Sequence, residues 1–491
     1  MKSNINFDNI ILIVIFLSPF SNILVYKTNI ADFRLIQMLW LIVFCVLMIK
    51  KAENKELLIS SPNRLGLNKG SKLTFSLYIF AISISGLLSI NTSRSIKELV
   101  QYIYLFILMY TIYCKAKEHD FMKKIIKSII CSNVFLVTIC IVSYISGKVI
   151  IPSLTILSNG MIYVNSSLFS TNTLVESGKE IVRLNGVLGL NATLIANLIL
   201  IQSLFVNYII RKVAGKKRVL SCLLLAANLF TMVYTYSRVG FLIFIAVHLL
   251  SAMSKNQMKN VAILAAAAFM GYLLLNMFPD VKERILETFN TEERSSKYHF
   301  AIWLIALKTG FNNIITGIGL GNMAFSYDSF WYEFSKFGIE KINSVNVHNF
   351  ILQIWAEQGI IGMLASSILY FSPILLYIKF KLFDKQKIDR TIYEFVFLSY
   401  ISTLAYNLTN NNFYIEAFWI LAGVVYAIKD YHLRLERSSF VETDTMSVLA
   451  HYEPWMVNVC DCKTTSTNHL SKYNPYQQKM LAFFEVRKCT M

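Results

Sequence analysis

Residues 347–364 read VHNFILQIWAEQGIIGML, and the apolar run that opens inside this string continues through ASSILYFSPILLYI to residue 378. A bilayer core is crossed by roughly 20 mainly apolar residues in a helix. The run over 350–378 is therefore long enough to cross one. Eleven further apolar segments lie near 8–26, 35–49, 73–90, 99–113, 128–146, 187–210, 219–236, 239–253, 261–278, 391–407 and 415–428. The composition agrees: 55% of the 491 residues are hydrophobic and only 15% charged, where a soluble chain carries about 25% charge. The fold class expected is an all-α polytopic membrane protein of about 12 transmembrane helices. The first segment follows Lys2 alone and no small-residue cleavage pattern comes after it, so it reads as a membrane helix and not as a signal peptide. Five of the eight cysteines lie in or beside apolar segments and three in the tail, which implies no disulfide framework.

The formal net charge is +18, from 47 Lys+Arg against 29 Asp+Glu. In a soluble chain that excess would suggest nucleic acid. In a multispan chain it must first be set against the enrichment of Lys and Arg in cytoplasmic loops. The N-terminus and every second loop together hold 24 basic and six acidic residues, while each intervening short loop carries two basic residues or fewer. The whole excess thus sits where a membrane protein keeps its orientation signal. Nucleic acid is excluded as a partner, and both termini are expected in the cytoplasm.

This topology divides the chain. Helices 1–9 fill 1–278, with an outer loop near 147–186. A large extracytoplasmic loop covers 279–349, helices 10–12 cover 350–429, and a cytoplasmic tail runs over 430–491. Loops longer than about 15 residues are often lids or binding elements, so 279–349 is where chemistry is expected first. Its segment YHFAIWLIALKT, 298–309, reads as an amphipathic helix at the membrane surface. The tail holds Cys460-x-Cys462, His451 and His469, too few well-spaced ligands to make a zinc site the better reading.

Three motifs on the outer side carry possible chemistry. In the opening string, Asn349, Gln353 and Glu357 recur every four residues and share a helical face, with His348 just before them. Such a stripe either ties helices together or lines a site. Ser237-Arg238-Val239-Gly240 places an arginine between two apolar runs, either as a headgroup anchor or facing an anion. Gly317-Ile318-Gly319-Leu320-Gly321-Asn322 lacks the strand–helix setting of a dinucleotide site, but glycines allow backbone N–H groups to approach an anion. A transporter would show repeated halves and helices broken at midplane, and neither is legible.

The arrangement resembles the O-antigen ligase/polymerase family of bacterial membrane proteins. The matching elements are S-R-x-G at 237–240, W-x-x-A-L at 303–307, G-I-G-L-G-N at 317–322, and H-N-F-x-L-Q-x-x-x-E-x-G-x-x-G at 348–362. The family commonly carries an Arg four residues before the tryptophan; here that position is His299, with Arg294 and Lys297 the nearest basic substitutes. The resemblance implies a multi-pass protein of the bacterial inner membrane. It implies a glycosyltransferase that takes glycan from undecaprenyl pyrophosphate at the outer membrane face, without cofactor or metal. The implied partners are that lipid-linked glycan, membrane lipid, a flippase and a chain-length regulator. It implies His348 and Glu357 as the catalytic pair, and Arg238, Arg294, Asn349, Gln353, Gly319 and Gly321 as substrate-binding residues. The activity expected is polymerase of O-antigen or capsular repeats; the alternatives are ligation to lipid A–core and, from another class, a polysaccharide flippase or transporter.

Overall fold

In hydrocarbon a backbone must satisfy its own polar groups, which favours helices wherever the chain is apolar. The computed structural model is accordingly helical over most of its described length. It describes residues 7–45 (without 28–31, 35 and 43), 69–148, 154–157, 161–164, 173–176, 179–185, 187–253, 294–338 (without 337), 346–383 and 390–431. The expected helix at 261–278, the loop residues 279–293 and 339–345, and the tail beyond 431 lie outside these.

The helices are α1 (Phe7–Leu17), α2 (Lys69–Leu87), α3 (Thr92–Ala116), α4 (His119–Ser146), α5 (Ala192–Lys212), α6 (Gly215–Tyr234) and α7 (Arg238–Ala252). They continue with α8 (Arg294–Asn312), α9 (Met323–Ser329), α10 (Trp331–Lys336), α11 (Phe350–Phe383) and α12 (Arg390–Asn407). The last described helix, α13, covers 416–431. Six helices are long and apolar enough to cross a membrane: those within α2, α3, α4, α5, α6 and α11. Two shorter apolar helices, Asp8–Phe20 and Arg238–Ala252, accompany them. The chain is a multi-pass membrane protein, with six candidate spans among the described residues where about twelve were expected over the whole chain.

Two differences from the sequence reading have local causes. The expected span over 8–26 ends its α-helix at Leu17, because Pro19 follows in a 3₁₀ turn over Ser18–Phe20. Proline disfavours helix in the residue before it and cannot donate to the preceding turn. The chain then enters a strand. The all-α expectation is also incomplete: β1 (Leu24–Lys27), β2 (Asp32–Arg34), β3 (Leu154–Leu157) and β4 (Ile162–Val164) form one sheet in the order β2-β1-β3-β4. A separate hairpin pairs β5 (Thr173–Glu176) with β6 (Lys179–Val182).

Helix ends meet in two sets. At one end of the bundle, Lys115 pairs with Asp8 at 2.8 Å, Ser71 donates to Asp430 at 2.7 Å, and Arg211 faces Glu394 at 3.9 Å. At the other, β1 pairs with β3, the Ile90 amide donates to Ile318 at 3.1 Å, and Asn346 donates to the Asn411 carbonyl at 3.3 Å. Each contact joins segments that the alternating charge pattern puts on one side. Large apolar side chains such as Leu73, Phe80, Leu220 and Leu223 point outward, as a lipid-facing bundle requires. Helix α13 is buried at every residue from 416 to 430; a helix buried all round runs through the middle of the bundle.

Candidate active site

Helix α11 carries the opening string and is not continuous. It breaks at Gly359 (φ 60°, ψ −158°), a left-handed backbone that glycine adopts without steric cost. The segment 313–322 docks into the break. Ile360 and Ile361 donate to the carbonyls of Ile314 and Ile315 at 2.8 and 3.4 Å. In return the amides of Ile318 and Gly319 donate to Ala356 and Glu357 at 3.0 and 2.9 Å. A Cβ on Gly359 would stand 2.5 Å from the Ile315 oxygen. No broken helix was legible in the sequence, because a glycine inside an apolar run reads as helix. The break lies nine residues from the helix start, and backbone of the same chain fills it.

This docking fixes Glu357. Its side chain is 1% exposed and accepts from Gln353 Nε2 at 3.2 Å and from the backbone N–H groups of Gly321 and Met323. Thus Gln353 and Glu357 do share a face and touch. The amides of Gly319 and Gly321 are engaged with the carbonyl and the carboxylate of the same residue, Glu357. The carboxylate of Glu98, on α3, lies against the same loop, where a Cβ on Gly321 would come within 2.6 Å of its Cγ.

His348 sits immediately before the helix with φ 55°, a conformation uncommon outside glycine, asparagine and aspartate. Its amide donates to Asn346 Oδ1 at 3.3 Å. Asn349 caps the helix by accepting from the Leu352 amide at 3.1 Å. The His348 ring meets that of His299 edge-on, with centroids 5.0 Å apart, and Tyr298 at 6.4 Å. His299 in turn faces Trp303 at 6.2 Å, whose indole N–H is buried with no hydrogen-bond partner among the described residues. Helix α8 supplies all three of these neighbours. It is amphipathic as expected, but Ala301, Ile302, Ile305 and Ala306 are buried in protein while Phe300, Leu307 and Phe311 are exposed. Arg294 is its first residue. Burial first, and then the neighbouring His299, push the His348 imidazole down to about 4. Nearby, burial holds the Tyr327 phenol well above its ordinary range, helped by Tyr298 and Glu357.

Arg238 opens α7 after Tyr236 (φ 51°) and Ser237. Ser237 does not cap its own helix; its hydroxyl meets the Tyr406 hydroxyl of α12 at 2.9 Å. The glycine of S-R-x-G follows from that contact. A Cβ at Gly240 would stand 2.9 Å from Ser237 Oγ and 3.2 Å from the Tyr406 ring. Arg183, which the sequence gave no reason to choose, is held at the same turn: its Nε donates to the Thr235 carbonyl at 2.8 Å. The amide of Leu184 donates to Tyr234.

Residues 221–366 match the family model for O-antigen ligase. Over this segment the chain is similar to the O-antigen ligase family. Its bounds enclose the S-R-x-G turn, α8, the glycine loop and the broken start of α11. The bounds of the matched segment contain His348, Arg238, Arg294 and Glu357, and leave out Arg183, Tyr406 and the Asn-rich turn beyond it. No curated protein matches the chain.

Proposed function

We propose that the protein is a glycosyltransferase that takes a glycan from a lipid pyrophosphate and passes it to a sugar hydroxyl at the outer face of the inner membrane. The observation that carries this reading is the His348 turn inside an O-antigen ligase segment. A neutral imidazole is held there beside a buried amide–carboxylate pair. The acceptor hydroxyl attacks the anomeric carbon of the donor sugar, and the bond from that carbon to the phosphate oxygen breaks. His348 takes the hydroxyl proton, and the lipid pyrophosphate leaves with the bonding electrons. An imidazole pushed toward 4 is a weaker base than a free one. More of the rate must then come from charge stabilisation on the leaving group. Arg238 is the first cation for this, since its planar fork suits phosphate oxygens; Arg183, at the same turn, and Arg294 are the further ones. The pyrophosphate itself would raise the imidazole's proton affinity on binding. Glu357, Gln353 and Asn349 act on the shape of the His348 turn, and Gly319 and Gly321 act through their bonds to Glu357. Trp303 offers its buried N–H to a sugar hydroxyl. We expect no metal or organic cofactor.

Among transferases of this type the reading is a polymerase that extends O-antigen or capsular repeats, because His299 replaces the usual arginine beside His348 and suits a specialised substrate. The family description favours ligation as the second reading. Gene deletion with analysis of surface polysaccharide tests both. Single-repeat products indicate a lost polymerase, and long chains left on the lipid carrier indicate a lost ligase. Unchanged glycan with lipid-linked repeats trapped inside would refute transfer in favour of flipping.

A further inference from the structure

Between α12 and α13 the chain reads Asn407-Leu408-Thr409-Asn410-Asn411-Asn412. All four asparagines are buried, with exposures of 0, 9, 7 and 7%. A buried amide that bonds nothing is destabilising, so four together in one turn call for partners. Each has them. Asn407 donates to Thr403 at 2.8 Å and accepts from the Asn412 amide at 2.6 Å. Asn410 donates to the Tyr406 carbonyl at 3.3 Å, and Asn412 donates to Thr193 on α5 at 3.3 Å. Asn411 works in the other direction. Its Nδ2 donates to Gln353 Oε1, and its backbone carbonyl accepts from Asn346 Nδ2 at 3.3 Å.

Those two bonds of Asn411 close around His348. Asn346 Oδ1 accepts from the His348 amide at 3.3 Å, and Gln353 Oε1 accepts from the Val347 amide at 3.4 Å. A non-glycine residue in the left-handed region is strained and persists only where its surroundings over-determine it. Here both residues that fix the peptides around His348 are gripped by Asn411. The same turn ends α12, whose Tyr406 holds Ser237 next to Arg238.

We infer that Asn411 is a positioning residue that holds His348 in its left-handed backbone conformation, and that the turn over 407–412 sets this histidine relative to the Arg238 helix start. The inference rests on the proposed function only where it bears on glycan transfer. Its test reads His348 directly. The full chain in lipid nanodiscs is treated with diethylpyrocarbonate across a pH series, and carbethoxylation of His348 is followed by mass spectrometry. In the unaltered protein the labelling rate falls with acidification only toward pH 4. In Asn411→Ala the bond to Gln353 is lost while the backbone bond to Asn346 remains; the loosened turn exposes the ring, and the fall moves toward the ordinary histidine value near 6.5. A move of one pH unit is roughly a tenfold change in proton affinity. Asn411→Ser is expected to be intermediate, because a hydroxyl can donate to Gln353 over a shorter reach. Leu408→Ala, an exposed side chain of the same turn, leaves labelling unchanged. Should Asn411→Ala not insert, Asn346→Ala cuts the second link and is expected to move the profile the same way. An unchanged profile in folded Asn411→Ala or Asn346→Ala would overturn the inference. A shifted profile with normal glycan products would leave the positioning role standing and refute His348 as the base.

Discussion

The starts of α7 and α11 present the same backbone device with different fastenings. Each has a left-handed non-glycine residue just before it, Tyr236 or His348, and each carries a side chain of the proposed site at the end of a helix. At α11 the cap closes on its own helix, Asn349 accepting from Leu352. At α7 the cap residue looks away, and Ser237 meets Tyr406 of α12. One end is therefore fixed from within and then gripped from outside by Asn411, whereas the other relies on a neighbouring helix. The difference teaches that two side chains 110 positions apart in sequence share a frame to which α12 and the turn that ends it contribute on both sides.

That contrast can be broken from either side. The largest effect is expected at His348→Ala. Loss of a general base costs about a hundred- to ten-thousand-fold in rate, read as vanished glycan transfer in a strain where the protein still inserts. Arg238→Lys keeps the charge and loses the fork, so kcat/KM for the lipid-linked donor should fall roughly tenfold or more. If lysine serves as well, Arg238 is a headgroup anchor. Tyr406→Phe removes only the bond to Ser237. A buried hydrogen bond is worth about 1 kcal/mol, roughly fivefold, and should appear in donor KM while the pH profile stays put. Asn349→Ala is smallest in activity: it loses a cap worth about 1 kcal/mol, seen as a lower thermal midpoint with little change in donor KM.

Acid sharpens the same comparison, since the α11 start holds a histidine and the α7 start does not. The folded His348 value, about 4, lies below that of an unfolded histidine, near 6.5. The folded protein thus binds this proton less readily than the unfolded chain does. Its contribution to stability is intact above pH 6.5 and is lost as pH falls from there toward 4. For the free enzyme, kcat/KM should keep its plateau to well below pH 6.5. An acid limb near 6.5 would contradict the desolvated setting of His348.

Much of the frame was legible because charge and apolarity are long-range regularities. Alternating Lys/Arg loops sort the helix ends, and Asp8–Lys115 at one end and Asn346–Asn411 at the other obey that sorting. His348, Arg238 and the Gln353–Glu357 pair stood out as polar residues bordering apolar runs. What the sequence does not display is local or depends on partners. Three- and four-residue strands such as Leu154–Leu157 are too short for an alternation to register. Pro19 stops a helix inside a run that is apolar throughout. Gly359 looks like any helical glycine until Ile315 occupies the space of its Cβ. The loop glycines read as an anion cradle, yet the amides of Gly319 and Gly321 are met by Glu357. Asn411 carries no signal of its own, since a run of asparagines between apolar segments reads as an ordinary loop.

The most direct test uses purified protein in nanodiscs, a lipid-pyrophosphate-linked glycan and a glycan acceptor, with His348→Ala in parallel. The expected result is a new glycosidic bond with equimolar release of lipid pyrophosphate in the unaltered protein, and neither product from His348→Ala. Equal product from both proteins, or no glycosidic bond from either, would contradict transfer by His348.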